Sequence, residues 1–450
     1  MIKRMLSGFL CLLVLIPLVA CSEEAGKAET AEIVETKIES DVKTEDEKTE
    51  EAVTITKELG EVEYDRVDTP LTPERLAAIP IAKEGMSSDQ LRQICVDYVK
   101  LSVSFQWVPS KSFDYLAASD KRYHAYFYEG KLHGGIPYIN VASGNLYRIL
   151  EFYDTETGVL DVEYLVQNPI MFGTACSGTT GWGWARVINS ATCSYTANLN
   201  AAGGLVPVGP YTYDLTTVRY GEDGKEECKT IARRNGEQVM YESYALSLKA
   251  DCFVNNGHVR MNGENPVVVR KEDGTIDGEK SYIVQVEQGL YTNGANHKRL
   301  SADGVEYVIQ GNDGVTGDGT AFYFTFKELF DSGYLPHTFK EFHSQDPIEP
   351  GEATTNIATD KVNLEALKDA TLTANYAISD IFFVITDTEG KEIVRYAYRL
   401  DKHYQKQKRL KEGVPSALLW MNRDKGYTLS LEVQLGNGER VTAYKGELVT

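Results

Sequence analysis

The stretch GTACSGTTGWGWARV, residues 173 to 187, decides how the chain is read. A lone cysteine, Cys176, stands among small residues, and Gly178, Gly181 and Gly183 follow it, interleaved with Trp182 and Trp184. Glycine is a poor residue for a helix interior. Its repeated use here predicts that the segment is crowded against another backbone, or that it forms a short irregular helix. A cysteine nucleophile needs a lowered pKa, which a helix start and a nearby imidazole supply. Cys176 is therefore either such a nucleophile or a small buried core thiol, and the rest of the chain has to choose.

Upstream of it, residues 86 to 104, MSSDQLRQICVDYVKLSVS, read as a helix. Ser87 and Gln90 have capping-box spacing, and Leu91, Ile94, Cys95, Tyr98 and Leu101 recur at helical intervals. The helix should stop before Phe105-Gln106-Trp107-Val108-Pro109. From about residue 192 the chain reads as strand-like and punctuated by glycine. SYALSLKADCFV (243 to 254) and NPVVVR (265 to 270) are strand candidates, and SYIVQVEQ (281 to 288) follows the turn-rich KEDGTIDGEK.

Beyond about residue 348 the pattern changes to alternation. Leu372, Ala374 and Tyr376 alternate, and so do Tyr427, Leu429, Leu431, Val433 and Leu435. Asn437-Gly438 is a strong two-residue hairpin turn, and Thr388-Glu389-Gly390-Lys391 separates DIFFVITD from EIVRYAYRL. Such spacing predicts a small β-sandwich over residues 350 to 450, joined through DPIEPGEA.

The first residues, MIKRMLSGFLCLLVLIPLVAC, have a basic start, an apolar run and then Leu18-Val19-Ala20-Cys21. This resembles a bacterial lipobox, so residues 1 to 20 are expected to be a lipoprotein signal and Cys21 the lipidated N-terminus. Two or more acyl chains make a stable anchor. Residues 22 to 52 hold twelve Asp or Glu against four Lys, and no aromatic residue. They cannot bury enough apolar surface to offset their ordering entropy. Residues 21 to 60 are expected to be an acidic tether holding a folded body off the membrane, in the cell envelope outside the cytoplasm. The whole chain carries a net charge of −20, which argues against nucleic acid as a partner.

Two further stretches bear on Cys176. GGIPYINVASG, residues 134 to 144, contains Gly135-Ile136-Pro137-Tyr138. LKADCFVNNGHVRM, residues 248 to 261, places His258 after Asn255-Asn256-Gly257 and before Val259. The order GxPY, then Cys-Ser-Gly, then Asp and apolar residues followed by Gly-His-Val, resembles the NlpC-type cell-wall cysteine peptidases. These are papain-like enzymes that cut peptidoglycan stem peptides. The resemblance covers about residues 86 to 290.

It implies an α+β fold over residues 61 to 345, with a papain-like NlpC-type domain in which the helix carrying the Cys packs on an antiparallel sheet. An immunoglobulin-like β-sandwich would follow it. It also implies Cys176 as nucleophile, His258 as base and Tyr138 near the oxyanion. The third residue should lie on a later strand, where SYIVQVEQ offers Glu287 and Gln288. These point to opposite faces of a regular strand. Glu287 would hold a charged imidazolium more strongly, and Gln288 would fix only its tautomer. The chain departs from the family in having Ala175 before the Cys in place of Asp. The Cys-to-His interval, 258 − 176 = 82 residues, is also long, with the excess placed in a loop-rich insertion over residues 198 to 227.

No cofactor is expected. Cys252 and His258 are six apart with no second pair, so zinc is not expected either. Cys95, Cys193, Cys228 and Cys252 permit three disulfide pairings or none. The rival expectation is a non-catalytic surface binding or adhesion protein, using the cleft as a pocket and Phe105, Trp107, Trp182 and Trp184 as an aromatic contact surface.

Overall fold

The computed structural model describes residues 73–115, 125–139, 144–163, 172–191, 205–213, 227–289, 297–301, 304–309, 311–316, 319–343, 348–398, 400, 405–415, 417–418 and 426–449. Cys21, the expected signal and acidic tether, and Cys193 lie outside them.

A capping box starts the first long helix. Ser87 accepts from the Gln90 amide at 3.2 Å, and the Ser87 amide donates to Gln90 Oε1 at 2.9 Å. The helix, α1, runs Ser88–Ser104 and ends where Phe105 turns extended. It buries Cys95, Val96, Tyr98, Val99 and Val103 completely or nearly so. The segment opened by Cys176 is helix α2, Cys176–Ala185, and it packs against α1. Two more helices follow, α3 at Cys228–Asn235 and α4 at Glu237–Ala245.

These helices accompany an antiparallel sheet. Its strands are β1 Leu205–Pro207, β2 Cys252–Val254, β3 Val259–Asn262, β4 Tyr282–Gln288, β5 Gly311–Asp313, β6 Tyr323–Thr325 and β7 Leu335–Phe339. Their order is β5-β4-β3-β2-β7-β1, with β6 also paired to β4, and every pairing is antiparallel. Both α1 and α2 contact β4, and α2 also contacts β3. The protein is thus α+β, with the helix that begins at Cys176 laid on an antiparallel sheet.

Gly183 makes that layer possible. A Cβ there would lie 2.5 Å from Val99 Cγ2 and 3.1 Å from the Cys95 carbonyl oxygen. Val99 is fully buried and has nowhere to move. Gly183→Ala is therefore expected to destabilise the protein by about 1–3 kcal/mol through overpacking. A lowered urea midpoint checks this.

The two tryptophans of the opening stretch are core residues. Trp184 is fully buried and donates to the Ala250 carbonyl at 2.8 Å. Trp182 is 2 % exposed. Ahead of them, Trp107 is fully buried and donates to the Gly135 carbonyl at 2.9 Å. A buried indole needs such a partner.

The C-terminal part has its own core. One sheet contains β9 Lys361–Val362, β11 Ile378–Thr386, β12 Glu392–Ala397, β14 Thr428–Leu435 and β15 Arg440–Leu448, in the order β9-β15-β14-β11-β12. The other contains β8 Ala353–Thr355, β10 Thr371–Ala374 and β13 Gln407–Arg409, in the order β8-β10-β13. Leu372, Ile381, Phe383, Leu429, Leu431 and Val433 meet in an apolar cluster separate from the one between the helices and the larger sheet. Asn437 and Gly438 lie in the hairpin that joins β14 to β15, but the expected two-residue turn is corrected: Leu435 pairs with Glu439, so the loop is Gly436 to Gly438, and only Gly438 has positive φ.

The two parts touch through polar and close-packed contacts. Arg148 pairs with Asp380 at 3.1 Å, both nearly inaccessible to water, and also donates to the Ser379 carbonyl at 2.6 Å. Gly436, at the end of β14, lies so close to α2 that a Cβ on it would be 3.1 Å from Ala185 Cβ and 3.3 Å from Trp182.

Some sequence expectations are corrected. SYALSLKADCFV is not a strand: Ser243 to Ala245 close α4, and only Cys252–Val254 is extended. NPVVVR makes only isolated bridges, at Val267 and Arg270. Within the expected loop-rich insertion, residues 205 to 207 form an edge strand of the main sheet.

Candidate active site

Cys176 is the first residue of α2 and is 4 % exposed. Its N-cap is Ala175, which offers no side-chain hydrogen bond to the helix start. The groups that act on the sulfur are the imidazole of His258 and the Val259 and Ser177 amides. Burial alone pushes the thiol up. The charge and hydrogen bond of His258, with the two amides, outweigh burial and hold Cys176 below its ordinary range. The other described cysteines behave oppositely: burial pushes Cys95 and Cys228 up to about 12 and Cys252 well above its normal value. Cys95, Cys176, Cys228 and Cys252 are all buried free thiols, so none of them forms a disulfide.

His258 is placed by a turn. Asn255 Oδ1 accepts the Gly257 amide at 2.9 Å and the His258 amide at 2.8 Å, which delivers His258 to the start of β3. Its side chain is 17 % exposed. His258 Nε2 is hydrogen-bonded to Glu287 Oε2. With Nε2 engaged there, Nδ1 is the ring nitrogen left for the thiol. Burial disfavours a charged ring, but Glu287 and the Cys176 thiolate prevail and push His258 up to about 10. Both directions favour a thiolate–imidazolium pair over a neutral thiol beside a neutral imidazole.

Of the two candidates for the third position, Glu287 meets His258 and Gln288 does not. Gln288 points the other way, as strand alternation requires. Its Nε2 donates to the Ile136 carbonyl at 2.5 Å, and its Oε1 accepts from Thr179 at 3.5 Å. It ties α2 to the GxPY segment rather than fixing the imidazole.

That segment is tightly held. The Gly135 amide donates to the Phe105 carbonyl at 2.7 Å and the Ile136 amide to the Ser102 carbonyl at 2.8 Å, which satisfies backbone at the end of α1. Gly135 has φ +76°, and a Cβ there would lie 2.2 Å from the Val103 carbonyl oxygen, so only glycine fits. Farther on, Thr174 donates to the Pro137 carbonyl at 3.0 Å and accepts from the Ile139 amide at 2.9 Å. Tyr138, half-buried, is thereby bridged to Thr174, two residues before the thiol.

Sequence reasoning missed Arg260 and Gln285. The signal was alternation: Arg260 is two residues after His258, and Gln285 two before Glu287, so each shares a face with its neighbour. The Arg260 Nε lies 3.1 Å from Glu287 Oε2, and Gln285 Nε2 donates to Glu287 Oε1. Glu287 itself is fully buried.

His337 is a packing histidine. It is fully buried, its Nε2 is 2.6 Å from the Tyr213 hydroxyl, and burial lowers it to about 4. The aromatic contact surface of the binding-protein expectation is corrected: Phe105, Trp107, Trp182 and Trp184 all lie in the core, at most 2 % exposed. Among the described residues no cluster of His, Cys, Asp or Glu is arranged to hold a metal ion.

Comparison of the chain with protein-family models, with curated proteins and with solved structures finds no match.

Proposed function

We propose that this chain is a thiol hydrolase that cleaves an amide bond, with Cys176 as nucleophile, His258 as base and acid, and Glu287 orienting the imidazole. The observation that carries this reading is the division of His258: one ring nitrogen on a fully buried carboxylate, the other left for a thiol at a helix start. A core cysteine has no need of that arrangement.

The Cys176 thiolate attacks the amide carbonyl and forms a C–S bond. The developing oxyanion is received by the Cys176 N–H and by Tyr138. His258 gives its proton to the amide nitrogen, the C–N bond breaks and the amine leaves. Water then attacks the thioester while His258 takes its proton. The acid is released and the thiolate returns.

The papain-like, NlpC-type assignment of residues 61 to 345, the immunoglobulin-like assignment of residues 350 to 450, and peptidoglycan stem peptides as substrate belong to this proposal. They rest on the ordered Gly135-Ile136-Pro137-Tyr138, Cys176-Ser177-Gly178 and Gly257-His258-Val259 motifs. Alkylation of the purified ectodomain by iodoacetamide across pH tests the core of it: Cys176 should react rapidly from mildly acid pH upward.

Membrane anchoring through Cys21, in the cell envelope, is part of the same proposal and is motivated by Leu18-Val19-Ala20-Cys21. Among the described residues no helix is long and apolar enough to cross a membrane. Mass spectrometry of the N-terminal peptide from membrane extracts should find a diacylated or triacylated Cys21. An unmodified Cys21, or an intact signal, would refute the anchor.

A further inference from the structure

We infer that Arg260 is a positioning residue of the same site, whose guanidinium balances the Glu287 carboxylate so that the thiolate–imidazolium pair can form. The inference rests on the reading that Cys176 is an activated thiol.

The placement follows from the sheet. Met261 faces Val286 and Asn262 faces Gln285 across β3 and β4, so one step along the same register sets Arg260 opposite Glu287. The ion pair at 3.1 Å is the cross-strand contact this register dictates. The guanidinium has little freedom. It lies over the Phe324 ring at 4.1 Å and the Tyr334 ring at 4.6 Å, and its Nη1 donates to Gln285 Oε1 at 3.1 Å. Gln285 in turn donates to the second Glu287 oxygen. Both carboxylate oxygens are thereby held, one by His258 and Arg260 together and the other by Gln285. The Arg260 side chain is 13 % exposed and that of Glu287 is fully covered.

Charge counting gives the arrangement its meaning. A thiolate, an imidazolium and a carboxylate sum to −1, which is unfavourable in a buried site. Without Arg260, the least costly way to shed that charge is to keep the proton on sulfur, because a neutral thiol beside an imidazolium–carboxylate pair sums to zero. With Arg260 present the thiolate form sums to zero instead. The carboxylate can then hold the imidazole without suppressing the nucleophile. The other titratable groups facing the cluster among the described residues are His297, which feels the Glu287 charge, the Arg299–Asp313 pair beside His297, Tyr334 beneath Arg260, and Tyr138 on the neighbouring segment.

The test is the pH dependence of Cys176 alkylation by iodoacetamide in the full ectodomain, with the modified peptide identified. Arg260→Met should move the midpoint of rapid alkylation upward by about one pH unit, the lower end of what a nearby charge does. Arg260→Lys keeps the charge and should stay close to wild type. Glu287→Gln leaves an excess positive charge and should move the midpoint down, and R260M/E287Q should return it toward wild type. A purely structural role for Arg260 would lower stability or the reactive fraction without this ordering of midpoints. If R260M does not fold, E287Q against R260M/E287Q decides, because removing the guanidinium must again raise the midpoint. Coincident midpoints in either comparison overturn the role of Arg260 alone, provided wild-type Cys176 titrates below an ordinary thiol. A wild-type Cys176 that reacts only as an ordinary thiol removes the functional reading and this inference together.

Discussion

Cys176→Ala is expected to abolish hydrolysis completely while leaving the protein folded, and His258→Ala to slow alkylation of Cys176 near neutral pH by about 10²-fold. The second figure follows from the thiolate fraction. In the wild type His258 holds the sulfur below its ordinary range, which raises the thiolate fraction at neutral pH. Without the imidazole, burial is the largest remaining influence and raises the thiol, which leaves about one per cent or less ionised. The alkylation should remain rapid in wild type from mildly acid to alkaline conditions. Hydrolysis should fall away above about pH 10, where the raised His258 loses the proton it must give to the leaving amine. Alkylation kinetics of the two proteins, with muropeptide hydrolysis measured alongside, check both statements. Equal slow alkylation in wild type and the His258 variant would end the catalytic proposal.

The largest effect on stability is expected at Asp251→Ala. Asp251 precedes β2 and pairs with Arg92 of α1 at 2.6 Å, with both side chains 2 % exposed. Its other oxygen accepts the Leu248 amide at 2.7 Å. Arg92 also donates to the Lys249 carbonyl at 2.8 Å and to Thr338 at 3.2 Å, and its guanidinium lies 4.3 Å from the centre of the Phe342 ring. One ion pair thus pins α1 to the sheet that carries the site. Removing the carboxylate leaves a buried, uncompensated cation, which costs about 3–5 kcal/mol. Arg92→Met in the Asp251→Ala background should recover part of that loss, because the stranded charge is gone. Urea midpoints of the single and double variants measure this, and a double variant no more stable than Asp251→Ala would contradict the account.

The contrast between what could and could not be read from sequence has physical causes. The start and end of α1 were legible because a capping box and helical spacing are local signals. The place of the Asn437-Gly438 hairpin was legible for the same reason, although its loop has three residues rather than two. The strand Tyr282–Gln288 was found, but its register was not, and register decides that Glu287 rather than Gln288 meets His258. Alternation says only that the two point apart; long-range pairing says which side faces the imidazole. Ser243 to Ala245, the end of the helix Glu237–Ala245, read as the start of a strand, for which Tyr244 has high propensity. Burial of Met240, Tyr241 and Tyr244 against neighbouring elements overrides that preference. Arg260 carried no motif at all, and its role exists only where two strands, distant in sequence, are paired.

The seam between Arg148 and Asp380, with Gly436 pressed on Ala185 and Trp182, bears on how the protein can be handled and processed. A protease that nicks the connection between Phe342 and Glu349 cuts one covalent link but leaves a nearly dry ion pair and a packed helix end intact. The two fragments are expected to elute together and to keep the thiol helix supported. A gene truncated at the same place is a different object: it strands Arg148 and uncovers the far end of the helix that begins at Cys176. Nicked full-length protein, and not a shortened clone, is therefore the proper material for asking whether the reactivity of Cys176 needs a continuous chain.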